Sequence, residues 1–177
     1  KYTDEQLDEL NKQLSTIDDD LFSEQTKATI QQQLNKFNIY FSNVSYDLYG
    51  ERYAVKFDEH EYKGKRIYKF SAFNTNFSSG KKQGEISCFD LAYTVFADNE
   101  NIPCLHFLLN DKKELMHGNQ LIKIGEYANA HDIQFVASIL QDKLPPDLQK
   151  DEYIIAQLSQ NDKLFRIENH EDLQGVT

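Results

Sequence analysis

The chain has 177 residues, a formal net charge of −10, 40% hydrophobic residues and 12% aromatic residues. That length fits one domain with an appended helix, and that apolar content is enough to bury a core. The acidity argues against gripping a nucleic-acid backbone, because such binding relies on basic groups displacing counterions. No apolar run approaches the roughly 18 residues of a membrane span, and no signal-peptide pattern opens the chain. The sequence opens on Lys1 and its one methionine is Met116, so it is expected to begin inside a longer gene product or after a removed tag. Cys88 and Cys104 stand in apolar surroundings without metal-like spacing, which predicts reduced core residues in a cytoplasmic protein.

The first segment reads as helix. Thr3 and Gln6 make a capping box, and Leu7, Leu10, Leu14, Ile17 and Leu21 then follow the three-and-four spacing of a coiled-coil seam. A second stripe comprises Ile30, Leu34, Phe37, Phe41, Val44 and Leu48. Between Leu21 and Ile30 the phase slips, so either one helix carries a discontinuity near Asp18 to Ser23 or it breaks and restarts there. Gly50 is placed to stop the second run in a left-handed conformation. One continuous helix over 24–49 is expected, its stripe buried, its lower turns on a sheet and its upper turns on another helix.

After Gly50 the period changes to two. Tyr53, Val55 and Phe57 form one strand face and Arg52 and Lys56 the other, with Lys63-Gly64 as the turn of a hairpin over 52–73. A polar loop from Asn74 to Gly84 precedes a helix from about Glu85, expected to bury Ile86, Phe89, Tyr93 and Phe96. Asn99 to Pro103 ends it. Cys104 to Leu109 reads as an apolar strand in the buried middle of a sheet. A helix from Gly118 to about His131 leads to a second apolar strand, Ile133 to Leu140, expected to lie parallel to the first through a right-handed crossover. Beyond Pro145-Pro146, Tyr153 to Leu158 and Lys163 to Glu168 read as a final hairpin.

Several residues can carry chemistry. The loop containing Ser79, Gly80 and Lys81 opens a helix, so free backbone N–H groups and the positive end of the dipole make an anion site; a plain capped loop is the competing reading. Asp111, at the end of an apolar strand, suits a hydrated Mg²⁺ or a polarised water, against an acid that merely ends a strand. His106 reads as a satisfied core histidine. Cys104 and His106 share a strand face, but two ligands do not make a zinc site. Asp90 is an unusual acid within an apolar helix. Lys63, Lys65, Arg66 and Lys69 read as a solvated strand face, and Glu61-x-Lys63 is a faint metal-nuclease pattern whose second carboxylate, Asp47, falls on a helix. The sequence holds no GxxxxGK[ST] stretch.

The order of these parts resembles the carboxy-terminal lobe of the head of coiled-coil ATPases of the SMC and RecN-like branch of the ABC family. Phe77-Ser78-Ser79-Gly80-Lys81-Lys82-Gln83-Gly84-Glu85 looks like a degenerate ABC signature motif leading into its helix, spanning 77–97. Leu105 to Asp111 looks like a Walker B strand, and Gln134 to Leu140 like the next core strand. More closely, Ser79, Phe89-Asp90-Leu91-Ala92, Phe107-Leu108-Leu109-Asn110-Asp111 and Gln120 look like an uncharacterised bacterial family. Its members form the C-terminal ends of coiled-coil ABC-type ATPases, some in three-component systems thought to act in defence.

The resemblance implies an α/β fold, half of an ATPase head. It would be a mixed sheet with flanking helices at 24–177 and a coiled-coil end at 1–23. It implies that Ser79, Gly80 and Lys81 touch ATP bound in trans, and that Asp111 holds Mg²⁺ through water. If Asp111 is the Walker B aspartate, Lys112 replaces the catalytic glutamate; if Asp111 matches the glutamate, Asn110 replaces the metal-binding aspartate. The switch histidine is missing, with Ser138, Gln141 and Asp142 at the end of its strand. Slow or absent hydrolysis follows from these departures. ATP and Mg²⁺ are expected only in the complete head. The partners implied are an N-terminal P-loop lobe of the same protein, a second head in a homodimer and other system subunits, with DNA reached only indirectly and no membrane. The alternative is a non-catalytic module that binds a partner through its long amphipathic helix.

Overall fold

The structure is a computed structural model that describes residues 2–74, 82–111 and 118–159. Helix α1 (Tyr2–Leu21) is followed by α2 (Glu24–Tyr49), and a hairpin of β1 (Tyr53–Tyr62) and β2 (Lys65–Asn74) comes next. Helix α3 (Lys82–Asn99), strand β3 (Phe107–Asn110), helix α4 (Gly118–Ala130) and strand β4 (Gln134–Ala137) complete the regular elements, with short 3₁₀ turns after β4. Antiparallel and parallel pairing both occur, so the chain is α/β as expected. Among the described residues they form two separate two-stranded sheets. No helix among those residues is long and apolar enough to cross a membrane.

The chain breaks and restarts between the two amino-terminal helices. Ser23 adopts an extended conformation and its Oγ accepts the Thr26 N–H at 3.2 Å, a side-chain N-cap that starts α2 afresh. At the other end Gly50, with φ 70°, donates its N–H to Tyr46 O at 2.7 Å. Helix α2 is therefore one rod of about 39 Å at ~1.5 Å per residue.

The hairpin reaches back to this junction. Phe22 lies against the Tyr68 ring with centroids 4.6 Å apart, and the Arg66 guanidinium sits 4.6 Å from the Phe22 centroid. Arg66 donates to Asp18 at 2.5 and 2.9 Å and to Asp19 at 3.2 Å, and Tyr68 donates its hydroxyl to Leu21 O at 2.8 Å. Part of the basic strand face is thus matched to the acidic end of α1. The leucine seam of α1 is uncovered: Leu7, Leu10, Leu14, Ile17 and Leu21 are all exposed. Lys63 and Gly64 both take positive φ, the turn that the two-residue hairpin requires.

One core joins α2 to β1, α3 and α4. Phe37, Phe41, Val44 and Leu48 are buried with Tyr53 and Val55 of β1, Cys88, Leu91, Ala92 and Phe96 of α3, and Ile124 and Ala128 of α4. Each large apolar side chain so buried is worth roughly 1.5–3 kcal/mol. Ile30 and Leu34, nearer the α1 junction, are only half-buried.

Three expectations need correction. Helix α3 buries Ser87, Cys88, Leu91, Ala92 and Phe96, whereas Ile86 is 64% exposed and Phe89 and Tyr93 lie at the margin. Small residues let α3 approach α2 closely, and Phe89 instead lies alongside Phe37, with centroids 5.0 Å apart. Strand β3 starts at Phe107 and is not buried on both faces: Leu108 and Asn110 turn inward while Phe107 and Leu109 face out. Cys104 precedes the strand and is half-buried. Finally, Tyr153 to Leu158 is not a strand: Asp151–Tyr153 is a 3₁₀ turn and irregular chain follows. Its expected partner, Lys163 to Glu168, lies outside the described residues.

Candidate functional site

Strands β3 and β4 run parallel in the register Phe107 to Gln134, Leu108 to Phe135, Leu109 to Val136 and Asn110 to Ala137. Helix α4 lies between them in sequence. It buries Leu121, Ile124 and Ala128, and its first residue, Gly118, sits so close to Pro145 that a Cβ there would lie 2.9 Å from Pro145 Cγ. In a parallel pair of this kind the carboxyl ends of the strands are where side chains gather to act on ligands.

At that end stand Asn110 and Asp111. The Ser138 N–H donates to Asn110 O at 3.0 Å, extending the ladder one residue past β4. Asn110 is buried, and its side-chain Nδ2 has no hydrogen-bond partner among the described residues. A buried amide left so is costly, and such a group calls for a water, an ion or another partner. Asp111 follows it and is exposed. Ser79, Gly80 and Lys81, and Lys112 beyond the strand, lie outside the described residues. So does the loop that leads to α3, whose first described residue is Lys82. Asp90 is half-buried on α3. Asp47 is exposed on α2, far along the sequence from the exposed Glu61 and Lys63 at the hairpin turn, and the nuclease pattern gains nothing from the fold. A shallow groove on α1, lined by Glu9, Lys12, Gln13, Thr16 and Ile17, is one side of a lone helix and brings no convergent chemistry.

The opposite, amino-terminal end of the same strands carries a second constellation. Helix α3 ends in a left-handed turn at Asn101, φ 56°, where the Ile102 N–H donates to Ala97 O at 2.7 Å. Helix α4 ends the same way at Asp132, φ 54°, where the Ile133 N–H donates to Ala128 O at 2.9 Å. These are Schellman closures, which turn a helix sharply into the segment that follows. They bring together Asp98, Cys104 and His106, whose ligand atoms all lie within 4.8 Å of one another. His106 Nε2 is 2.9 Å from Asp98 Oδ1, and its Nδ1 is 3.3 Å from Asp132 O. The Asp98 carboxylate first, and the Asp132 carbonyl after it, hold the imidazole above its ordinary pKa. His106 is thus satisfied, as expected, but it stands half-exposed at the mouth of β3 rather than within a core strand. The sequence shows the Cys104-x-His106 pair; Asp98 is absent from that reading because a helix end and a left-handed turn separate it from them.

A family model described as an uncharacterised protein conserved in bacteria, DUF2326, matches residues 44–169. The chain belongs to this family. Its DUF2326 unit begins in the last part of α2 and takes in the hairpin, α3, the parallel pair and both constellations; α1 and most of α2 precede it. No curated protein matches the chain.

Proposed function

We propose that this DUF2326 chain is the carboxy-terminal lobe of a coiled-coil ABC/SMC-like ATPase head, which completes an ATP site in trans when two heads meet. The observation that carries the reading is the uncovered apolar side of the parallel pair. Leu109 is 73% exposed and Phe107 45%, with Leu105 just ahead of the strand at 82%, and among the described residues the sheet has two strands. Parallel sheets occur with both faces covered, and two-stranded sheets do not stand alone in water. Such a half-sheet calls for a second lobe that supplies further strands and a cover.

The chemistry at the strand ends fits a half-site. Asp111 is one carboxylate, and Mg²⁺ in nucleotide sites takes one or two carboxylates together with substrate phosphates. The phosphates need a P-loop, which this sequence does not contain. Ser79, Gly80 and Lys81 are assigned to the phosphate of the nucleotide held by the opposite head. The exposed seam of α1 and the rod of α2 suit a coiled-coil arm that ends in the lobe. A setting in a DNA-associated or defence system belongs to the same proposal, with the acidic chain meeting DNA only through other parts of the assembly.

The test is reconstitution with a P-loop-bearing amino-terminal lobe, reading nucleotide affinity and oligomeric state. The isolated chain is expected not to bind ATP tightly, and the joined lobes to dimerise with ATP. Leu109→Asp should leave the chain's own stability within about 0.5 kcal/mol, as exposed sites do, yet prevent the lobes from joining. Ser79→Arg should permit joining and abolish dimerisation. Micromolar ATP binding by the isolated chain, or joining that ignores Leu109→Asp, would overturn the reading.

A second reading has its own observation. Leu7, Leu10, Leu14, Ile17 and Leu21 are exposed at coiled-coil spacing, so the chain can instead be a non-catalytic module that binds a partner helix. In that case Leu10→Glu with Leu14→Glu abolishes partner binding, and nucleotide has no effect on assembly.

A further inference from the structure

We propose that Asp98, Cys104 and His106 form a site for a borderline-soft divalent cation, zinc foremost, pinning the end of α3 to the mouth of β3. The donor set is one carboxylate oxygen, one sulfur and one imidazole nitrogen, all within 4.8 Å of one another. Tetrahedral zinc, with bonds of roughly 2.0–2.3 Å, holds such donors about 3.3–3.7 Å apart. The Asp98 to His106 separation of 2.9 Å must open by a few tenths of an ångström, and the thiol must swing inward. All three side chains are at least partly exposed and free to make that adjustment.

The imidazole is already oriented for the task. When a cation displaces the Nε2 proton that His106 donates to Asp98, Nδ1–H stays directed at Asp132 O, 3.3 Å away, and Nε2 becomes a ligand beside the carboxylate. A backbone carbonyl on the far ring nitrogen is the usual outer partner of a metal-bound histidine, because it fixes both tautomer and ring plane. The Asp98–His106 ion pair explains two of the three groups without a metal, but it gives no role to Cys104. A thiolate ligand excludes Mg²⁺ and Ca²⁺, which take oxygen donors, and favours zinc and its spectroscopic substitute cobalt. Three protein ligands leave a fourth position for water or for a group from a partner.

The experiment takes the whole chain stripped by a chelator and titrates it with Zn²⁺ against a chromophoric competitor, then with Co²⁺ alone. One equivalent is expected to bind, and the cobalt form to show a thiolate charge-transfer band in the near ultraviolet. Cys104→Ser, nearly isosteric, should remove that band. Asp98→Asn and His106→Gln should weaken binding by at least the roughly 10–100-fold that even outer partners of a metal ligand command. Zinc should also slow alkylation of Cys104 in the unaltered chain, a readout that needs no variant, with buried Cys88 as the internal control. The absence of stoichiometric binding, a cobalt spectrum without the thiolate band, affinity unchanged in Cys104→Ser, or no protection from alkylation would each overturn the site.

Discussion

Asn38 and Val55 exchange two hydrogen bonds: the Val55 N–H donates to Asn38 Oδ1 at 2.7 Å, and Asn38 Nδ2 donates to Val55 O at 2.9 Å. The side-chain amide of α2 thus takes the place of a neighbouring strand along the free edge of β1. Two turns further along α2, fully buried Ser45 accepts the Tyr53 N–H at 3.0 Å and donates to Ser42 O at 3.1 Å. An edge strand with unpaired backbone groups is a hazard that proteins cover, and here a helix covers it. Asn38→Ala leaves one buried donor and one acceptor of Val55 unsatisfied, so a loss of about 1–3 kcal/mol is expected in urea unfolding. An unchanged midpoint would show that water replaces the amide without cost.

Phe41 has no exposed surface and is ringed by Phe37, Tyr53 and Phe89, at centroid distances of 5.6, 6.0 and 5.8 Å. Truncating it opens a cavity among elements that cannot all close in. Phe41→Ala should cost roughly 3–5 kcal/mol. Half-buried Leu34, on the same stripe, should cost clearly less on truncation, and equal losses at the two positions would contradict the burial gradient along α2.

The stripe of α2, its glycine stop and the Lys63-Gly64 turn were legible because each is a local pattern with one physical reading. So was the parallel pair, from two apolar runs around an amphipathic helix. The buried face of α3 was not, because choosing the largest apolar residues selects Ile86 and Phe89, while close helix packing selects Ser87, Cys88 and Ala92. The outward face of β3 was missed for a related reason. A run such as Leu105 to Leu109 announces burial, but not whether the covering surface belongs to the same lobe. At the strand ends, Asp111 could be read from the sequence, whereas the Asp98 contribution depends on where a left-handed turn sends the chain.

Phe22 fastens the two amino-terminal helices to the hairpin through Tyr68 and Arg66. Phe22→Ala should speed limited proteolysis between Leu21 and Glu24 while cleavage within the core is unaffected. Arg66→Ala should act in the same direction but more weakly, since its pairs with Asp18 and Asp19 are largely exposed and such pairs are worth little. Equal cleavage rates in Phe22→Ala and the unaltered chain would mean that the junction is held by other contacts.

Alkali should unfold the protein ahead of its neutral stability. Burial pushes the Cys88 thiol and the Tyr49 and Tyr53 phenols far up, and it raises Tyr127 to about 12. In the unfolded chain these groups ionise near their ordinary values, about 8.5 for Cys and 10 for Tyr. Because each folded pKa is raised, the folded state holds protons that the unfolded state has released. The contribution is therefore complete below about pH 8.5 and is lost as pH climbs from there toward the raised values. Thermal midpoints measured from neutral pH upward should fall, and Cys88→Ala should start that fall later, at the tyrosine range. A flat profile through that range would refute the burial of these groups.

The uninterrupted course of α2 has a mechanical consequence. From the Ser23 cap to Gly50 no loop interrupts the hydrogen-bonded rod, and its carboxyl half is wedged among β1, α3 and α4. A torque applied at the α1 junction meets no compliant segment on the way, so it is delivered to the core as tilt rather than absorbed as bending. The parallel pair rests on that core through Leu108 and Phe135. Strain at the α1 junction and the position of Asn110 and Asp111 are therefore geared to the same shaft.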